Sequence, residues 1–221
     1  MNKSWEEIWN NRDIDNYIID FLINLDGFTS KSAKFDHKTF QLYLNNIFKH
    51  IDVSSIKSCL EFGCGSGLIL YLLPNSISKS GVDYSNTLIE IAKKFNPEVD
   101  FKVQNIKFFH TTKKFDLVFA NSVFQYLDDE KSIKKVLKKM ISLSNKYIII
   151  MDIIDKDLLV DYLIMRKKTI NDYQNDYKHL ALRKSFFNLI AKDNNLDIEF
   201  IKNQNNLNEN SKYRYNVILS K

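Results

Sequence analysis

The spacing of apolar positions changes along this chain, and the changes predict alternating helices and strands. An amphipathic helix over 36–51 is predicted because apolar residues recur at helical spacing, namely Phe40, Tyr43, Leu44, Ile47, Phe48 and Ile51. Short, nearly continuous apolar runs predict buried strands over 57–62, 77–83, 99–103, 115–120 and 147–153. Helices are predicted between these strands over 68–73, 85–96 and 129–144. The alternation is typical of a parallel sheet covered by helices.

The alternation breaks at Ile154. A helix around 158–165, a polar stretch over 173–179, a helix over 185–191 and strands over 196–201 and 213–219 are predicted there. The fold class is therefore α/β, a Rossmann-like doubly wound seven-stranded sheet whose last strand is antiparallel. Segment 154–182 is an insertion after the fifth strand, and residues 1–35 are an N-terminal helical cap. Together they are expected to form a helical lid over a single domain, 1–221, at the strand ends where such sheets bind ligands.

Composition excludes several classes of protein. The net charge is +5, and lysines spread along the whole chain are not the concentrated patch of a nucleic-acid binder, so we expect no DNA partner. No apolar run approaches the ~20 residues that span a bilayer, and the first residues do not resemble a signal peptide. We therefore expect no membrane partner, a cytoplasmic location, and a monomer or homodimer. Cys59 and Cys64 lack metal-site spacing, so no metal is expected and both are interpreted as buried thiols.

The densest chemical signal is a glycine turn that directly follows the first predicted strand. Gly63, Gly65 and Gly67 are three of the five glycines in the chain, and Glu61 precedes them at the same alternate spacing. Glycines let backbone N–H groups approach a ligand closely. Asp83 ends the next strand, where a carboxylate can accept hydrogen bonds from both hydroxyls of a ribose. The dinucleotide pattern G-x-G-x-x-G would need a glycine at position 68, which is Leu68.

These residues resemble the class I S-adenosylmethionine-dependent methyltransferases. Positions 61–67 match the first motif of that family, Asp83 matches the acid that ends its second strand, and 115–127 resembles its fourth-strand motif. The resemblance covers roughly 36–153 and, more weakly, the last 40 or so residues. It implies a methyltransferase that uses S-adenosyl-L-methionine as its methyl donor. The glycine turn alone would be weak evidence, whereas three motifs in the right order are strong.

The resemblance also implies where the donor lies. The expected cofactor-binding residues are Glu61, Gly63, Cys64, Gly65, Gly67, Asp83, Tyr84, Asn105, Ile106, Asn121 and Ser122. Glu61 would anchor the amino group of the donor, and Asn105 stands where the family commonly has an acid for the adenine amino group. Asn121 and Ser122 would act through backbone carbonyls. Tyr84 would cover adenine, with packing in the core as the alternative of nearly equal weight.

The acceptor side is less defined. Gln125 and His179 are the catalytic candidates: Gln125 either faces the transferred methyl or is an exposed loop residue, and His179 is either a base or a structural residue. The expected substrate-binding set is Arg12, Tyr17, Gln125, Tyr126, Tyr173, Tyr177 and His179. Within this set, packing in the core is favoured over a place in the site for Tyr126.

The acceptor class follows from what the motifs lack. The fourth-strand segment has neither the Asn/Asp-Pro-Pro-aromatic signature of nucleobase amino methylation nor the Pro-Cys nucleophile of cytosine methylation. Segment 154–192 carries eight Lys or Arg against five Asp, which favours an anionic, phosphorylated or sugar-like acceptor. We expect a bacterial enzyme that methylates an oxygen or nitrogen of a small molecule. The alternatives are a protein or RNA methyltransferase and a catalytically silent, donor-binding partner subunit.

Overall fold

A computed structural model describes residues 16–28, 36–175, 179–203 and 209–221. The helices among them are α1 (Asn16–Leu25), α2 (His37–Phe48), α3 (Leu68–Leu72), α4 (Asn86–Phe95), α5 (Glu130–Leu143), α6 (Leu159–Met165), α7 (Ile170–Asn175) and α8 (Lys184–Asp193). The strands are β1 (Ser58–Phe62), β2 (Ser78–Asp83), β3 (Asp100–Val103), β4 (Phe115–Asn121), β5 (Ser144–Asp155), β6 (Ala181–Leu182), β7 (Asp197–Lys202) and β8 (Arg214–Ser220). Short 3-10 turns cover Val53–Ser55, Phe124–Tyr126, Lys156–Leu158 and Ser211–Tyr213.

Seven strands form one sheet in the order β3-β2-β1-β4-β5-β8-β7. The pairs among β3, β2, β1, β4 and β5 are parallel, and β8 is antiparallel to both β5 and β7. The predicted doubly wound sheet with an antiparallel last strand is therefore confirmed. The described residues add an eighth strand, β6, which pairs with Ile154 and Asp155 at the end of β5. Two residues are too few to show a hydrophobic period, so the sequence pattern missed it.

The sheet buries both faces. Alternate side chains of β4 point to opposite sides, so Leu117 and Phe119 join one core and Val118 and Ala120 join the other. Helices α1 to α4 cover the first face, and α5 and α8 cover the second. The class is thus a three-layer α/β fold, and the carboxyl ends of its parallel strands form one open edge.

Several predicted boundaries were wrong. The helix predicted over 36–51 ends at Phe48, and a 3-10 turn follows it before β1. Strand β5 is longer than 147–153, and in β3 only Phe101 is buried because β3 is an edge strand. The insertion 154–182 is only partly helical, since it begins with the end of β5 and finishes with β6. No helix among the described residues is long and apolar enough to cross a membrane. The single domain with a lid stays a prediction.

Helix α1 is held firmly against the domain. Ile19, Leu22 and Ile23 are fully buried in the core that contains α2 to α4. The Asp20 carboxylate accepts a hydrogen bond from the backbone N–H of His37 at 2.8 Å, which ties α1 to the start of α2. This packing places the turn after α1, residues 26–28, above the glycine turn that follows β1.

Candidate functional site

A cavity of about 470 Å³ opens at the carboxyl ends of β1, β2 and β4. Its size lies within the range of small-molecule and cofactor sites. All but one of the predicted cofactor-binding residues line it, namely Glu61, Gly63, Cys64, Gly65, Asp83, Tyr84, Asn105, Ile106, Asn121 and Ser122. Gly67 does not line the cavity and is instead the N-cap residue of α3. The structure thus brings the donor set together, although binding by these residues stays a prediction.

The glycine turn has a backbone that other residues adopt at a cost. Gly63 has a φ of 69°, in the left-handed region, and an added Cβ there would lie 2.4 Å from Cγ2 of Val123. The N–H groups of Gly63 and Cys64 both donate to the carbonyl of Val82, at 2.7 and 3.1 Å. The end of β2 therefore fixes the start of the turn.

Asp83 connects the second strand to this turn. Its carboxylate is 7% exposed, with Oδ2 accepting from the N–H of Gly65 at 3.0 Å and Oδ1 accepting from the N–H of Ser85 at 2.8 Å. Each carboxylate oxygen has a further lone pair. Asp83 can thus bind a diol in the cavity while it holds the glycine turn in place.

Glu61 is a buried acid with an incomplete set of partners. It is 3% exposed, and among the described residues its Oε2 has no hydrogen-bond partner. Burial, and then the neighbouring charges of Asp26 and Asp83, raise the pKa of Glu61 well above its ordinary value. A buried polar atom without a partner is rare in a native fold. The cavity therefore fits a ligand that brings a hydrogen-bond donor or a cation, as the amino group of S-adenosyl-L-methionine would.

Sequence reasoning missed Asp26, which also lines the cavity. Its Oδ1 accepts from the N–H of Ser66 at 2.9 Å, and its Oδ2 accepts from the Ser66 hydroxyl at 2.9 Å. Burial raises the pKa of Asp26 to about 6, despite the opposing effect of the two bonds from Ser66. The only sequence signal was the Asp26-Gly27 pair, which indicates a turn. A turn signal gives no information about the tertiary partner.

The residues expected to contact adenine, Tyr84, Asn105 and Ile106, lie on one side of the cavity. Tyr84 is 78% exposed, so the alternative of core packing for Tyr84 is wrong. Ile106 is buried and lines the cavity, whereas the exposed Asn105 uses its Oδ1 to accept from the N–H of Lys107 at 2.9 Å. The amide oxygen of Asn105 thus has one lone pair engaged within its own turn.

The end of β4 forms the opposite side of the cavity. Asn121 accepts a hydrogen bond from the Tyr43 hydroxyl at 2.8 Å, so its side chain is used within the fold. Ser122 has a φ of 56°, unusual for a residue with a Cβ, and its N–H donates to the carbonyl of Met151 at 3.1 Å. Such strain is common at functional sites. It turns the chain sharply where the backbone meets the cavity.

Gln125 occupies an unexpected position. It is 4% exposed, so the alternative of an exposed loop glutamine is wrong. Its Nε2 donates to the Ser122 hydroxyl at 2.9 Å, and it does not line the cavity. Gln125 therefore contacts the strained Ser122, and direct contact with the reacting groups stays a prediction.

The acceptor candidates are only partly brought together. Tyr126 is 64% exposed and lines the cavity, so the interpretation of Tyr126 as core was wrong. The ring of His179 packs edge-to-face on that of Tyr126, with centroids 4.9 Å apart, and Tyr173 donates its hydroxyl proton to the carbonyl of His179. Burial, and then Arg214 and Arg166, lower the pKa of His179. Arg12, Tyr177 and the side chain of Tyr17 lie outside the described residues.

Comparisons with known proteins indicate a methyltransferase domain. Residues 60–145 match the family model described as a methyltransferase domain. The chain is 33% identical over 94 residues to a malonyl-[acyl-carrier protein] O-methyltransferase of Ilyobacter polytropus, covering 39% of this chain and 35% of that relative. It is 27% identical over 107 residues to a trans-aconitate 2-methyltransferase of Rhizobium etli, covering 47% and 41%. The matched region thus spans less than half of these curated relatives.

A solved structure extends the likeness over most of the chain. The crystal structure of magnesium protoporphyrin IX methyltransferase from Synechocystis, with bound S-adenosylhomocysteine, superposes with a TM-score of 0.61 and 17% identity. The alignment covers 93% of this chain and 98% of that one. Residues 60–145 therefore match a methyltransferase domain, in agreement with the predicted resemblance to the class I S-adenosylmethionine-dependent methyltransferases, and the solved structure has the same fold.

Proposed function

We propose that this protein transfers a methyl group from S-adenosyl-L-methionine to an oxygen or nitrogen of a small, anionic acceptor. The observation that carries the proposal is the cavity between the glycine turn and Asp83. Glu61 lines this cavity, and its buried Oε2 has no hydrogen-bond partner among the described residues. A nicotinamide dinucleotide does not suit this arrangement, because a buried acid at position 61 would face its pyrophosphate.

The residues divide the work between holding the donor and shaping the cavity. S-adenosyl-L-methionine supplies an activated methyl group on a sulphonium, so the protein needs chiefly to align the reactants and exclude water. Asp83 binds the ribose diol, and Glu61 binds the amino group of the donor. Tyr126, whose exposed ring lines the cavity, contacts the acceptor and limits access of water.

The acceptor side carries positive charge. Arg214 pairs with Asp152 and lies within 3.4 Å of the Tyr162 hydroxyl, while its buried Nε has no hydrogen-bond partner among the described residues. Burial lowers the pKa of Arg214, but Asp152 and Tyr162 together outweigh burial, so the pKa of Arg214 is raised. Arg214 and Arg166 both lower the pKa of His179, so positive charge acts on the Tyr126–His179 pair although Asp152 partly balances Arg214. Such a field favours a carboxylate or phosphate acceptor.

The names of the two relatives agree with that preference. Malonyl groups and trans-aconitate both carry carboxylates, and a carboxylate oxygen is already ionised at neutral pH. Methylation of such an oxygen needs no general base. We therefore favour a carboxylate oxygen of a small metabolite as the acceptor. The cytoplasmic location and the oligomeric state, monomer or homodimer, stay expectations.

The first prediction tests whether His179 acts as a base. If the acceptor is a carboxylate or phosphate oxygen, His179→Ala should retain turnover within about threefold, because no proton needs to leave before transfer. If it is a hydroxyl or an ammonium, turnover should fall by about 100-fold or more. Steady-state formation of S-adenosylhomocysteine on the identified acceptor measures this. Tyr126→Phe is the matched control, because it keeps the ring packed on position 179.

A panel of acceptors tests the proposed reaction itself. The purified protein is incubated with S-adenosyl-L-methionine and, separately, dicarboxylates, acyl half-thioesters, sugar phosphates, amines, RNA and peptides, and S-adenosylhomocysteine is quantified. Turnover with a carboxylate supports the proposal, and turnover only with RNA or peptide would replace it with the first alternative. Tight donor binding without turnover on any member would favour a silent partner subunit.

A further inference from the structure

Two acids from distant parts of the chain face the same side of the donor cavity. Glu61 lies at the end of β1, and Asp26 lies in the turn after α1. Asp83 is a third acid in the lining, at the end of β2. Among the described lining residues the only Lys or Arg is Lys107, and its Nζ lies 2.7 Å from a carboxylate oxygen of Asp128. No described cation in the lining therefore balances Asp26 and Glu61.

Burial of these two carboxylates lowers the stability of the fold. Buried carboxylates are normally paired with a cation or fully hydrogen-bonded. Glu61 has a buried oxygen with no partner in the described part of the chain, and after burial the charge of Asp26 contributes most to the raised pKa of Glu61. Because the charge of Asp26 disfavours ionisation of Glu61, a ligand cation beside these two acids would stabilise the site.

Asp26 is also held in one position. Both of its oxygens accept hydrogen bonds from Ser66, and its Oδ1 lies 2.7 Å from where a Cβ of Gly65 would be. A side chain at position 65 would push this carboxylate away, so the glycine admits Asp26 to the turn. The buried side chains of α1 fix the backbone from which Asp26 extends. The carboxylate is thus part of the cavity wall by construction of the fold.

We propose that Asp26 and Glu61 together bind the α-ammonium group of the donor's amino acid portion, so that helix α1 supplies a donor-binding residue. This inference rests on the proposed function, because it assigns a contact within the same site. The two carboxylates provide charge-assisted hydrogen bonds to the ammonium, and the ammonium relieves their mutual repulsion. Fixing the ammonium at one end and the ribose at Asp83 at the other orients the methyl group between them.

Asp26→Asn tests this contact with little change in shape. The amide oxygen can accept from the N–H of Ser66, and the amide nitrogen can donate to the Ser66 hydroxyl, so α1 stays attached to the glycine turn. Calorimetric titration uses two probes: S-adenosylhomocysteine, which carries the ammonium, and 5′-methylthioadenosine, which has the nucleoside and sulphur but no amino acid portion. We expect a loss of about tenfold or more for the first and a change below about twofold for the second.

Asp20→Asn is the matched control, because Asp20 lies on α1 and its carboxylate binds His37 rather than the cavity. It should leave both affinities within about twofold. Unchanged binding of S-adenosylhomocysteine to Asp26→Asn would overturn the inference. An equal loss for both probes would also overturn it, because that pattern indicates a structural role. If the unmodified protein binds neither probe, the proposed function itself fails, which is a distinguishable result.

Discussion

Replacement of Asp83 by alanine is expected to reduce affinity for S-adenosylhomocysteine by about 100-fold or more. The reason is that one carboxylate makes three kinds of contact: it binds the ribose diol, accepts from Gly65 in the glycine turn, and accepts from Ser85 at the start of α4. Each hydrogen bond to a charged group contributes about 1.5–3 kcal/mol. Calorimetric titration of the folded variant measures the loss.

Two further variants define the cause of this loss. Asp83→Asn keeps the shape and one acceptor oxygen but removes the charge, so its affinity should lie between those of the unmodified protein and Asp83→Ala. Asp100→Ala removes an exposed acid at the start of the neighbouring strand β3 and should change nothing. If Asp83→Ala folds and still binds the ligand as tightly as the unmodified protein, the ribose is bound by another group.

Gly63→Ala is expected to lower the free energy of unfolding by about 2–5 kcal/mol and to prevent donor binding. The left-handed backbone at a φ of 69° costs a residue with a Cβ about 1–2 kcal/mol. The new methyl would also lie 2.4 Å from Cγ2 of Val123, and such overpacking typically costs about 1–3 kcal/mol. Denaturant unfolding gives the stability, and calorimetry gives the affinity.

Gly27→Ala separates the two contributions. Gly27 has a similar φ of 77°, but an added Cβ there meets nothing within 4 Å. It should lose only the backbone contribution, about 1–2 kcal/mol. Equal losses for the two variants would show that Val123 moves aside without cost, and that the crowding at Gly63 does not constrain the turn.

The fold could be predicted from sequence where a pattern of apolar residues coincides with a rare residue type. Strand β1 is a buried apolar run, and it is followed directly by three of the five glycines in the chain. Asp83 lies at the end of the next strand. Those local signals predict donor-binding residues at one edge of the sheet, and the structure brings these residues together around one cavity. The antiparallel last strand followed from the order of elements, because the alternation of strand and helix ends in two strands.

The remainder depends on tertiary contacts that no local pattern encodes. The sequence identifies Asp26 only as a turn residue, whereas its hydrogen bonds with Ser66 depend on the packing of α1. The sequence favours core packing for Tyr126, but the 3-10 turn that contains this residue leaves its ring exposed at the cavity. Gln125, in the same turn, points inward instead and bonds to Ser122.

The central claim is that the cavity binds the methyl donor, and calorimetric titration with S-adenosylhomocysteine tests it most directly. We predict binding in the micromolar range, about −8 kcal/mol at a Kd of 1 μM, together with a rise in the melting temperature as ligand concentration increases. Titration with NAD under the same conditions should give no binding. Absence of binding to S-adenosylhomocysteine, or binding of NAD in its place, would contradict the account.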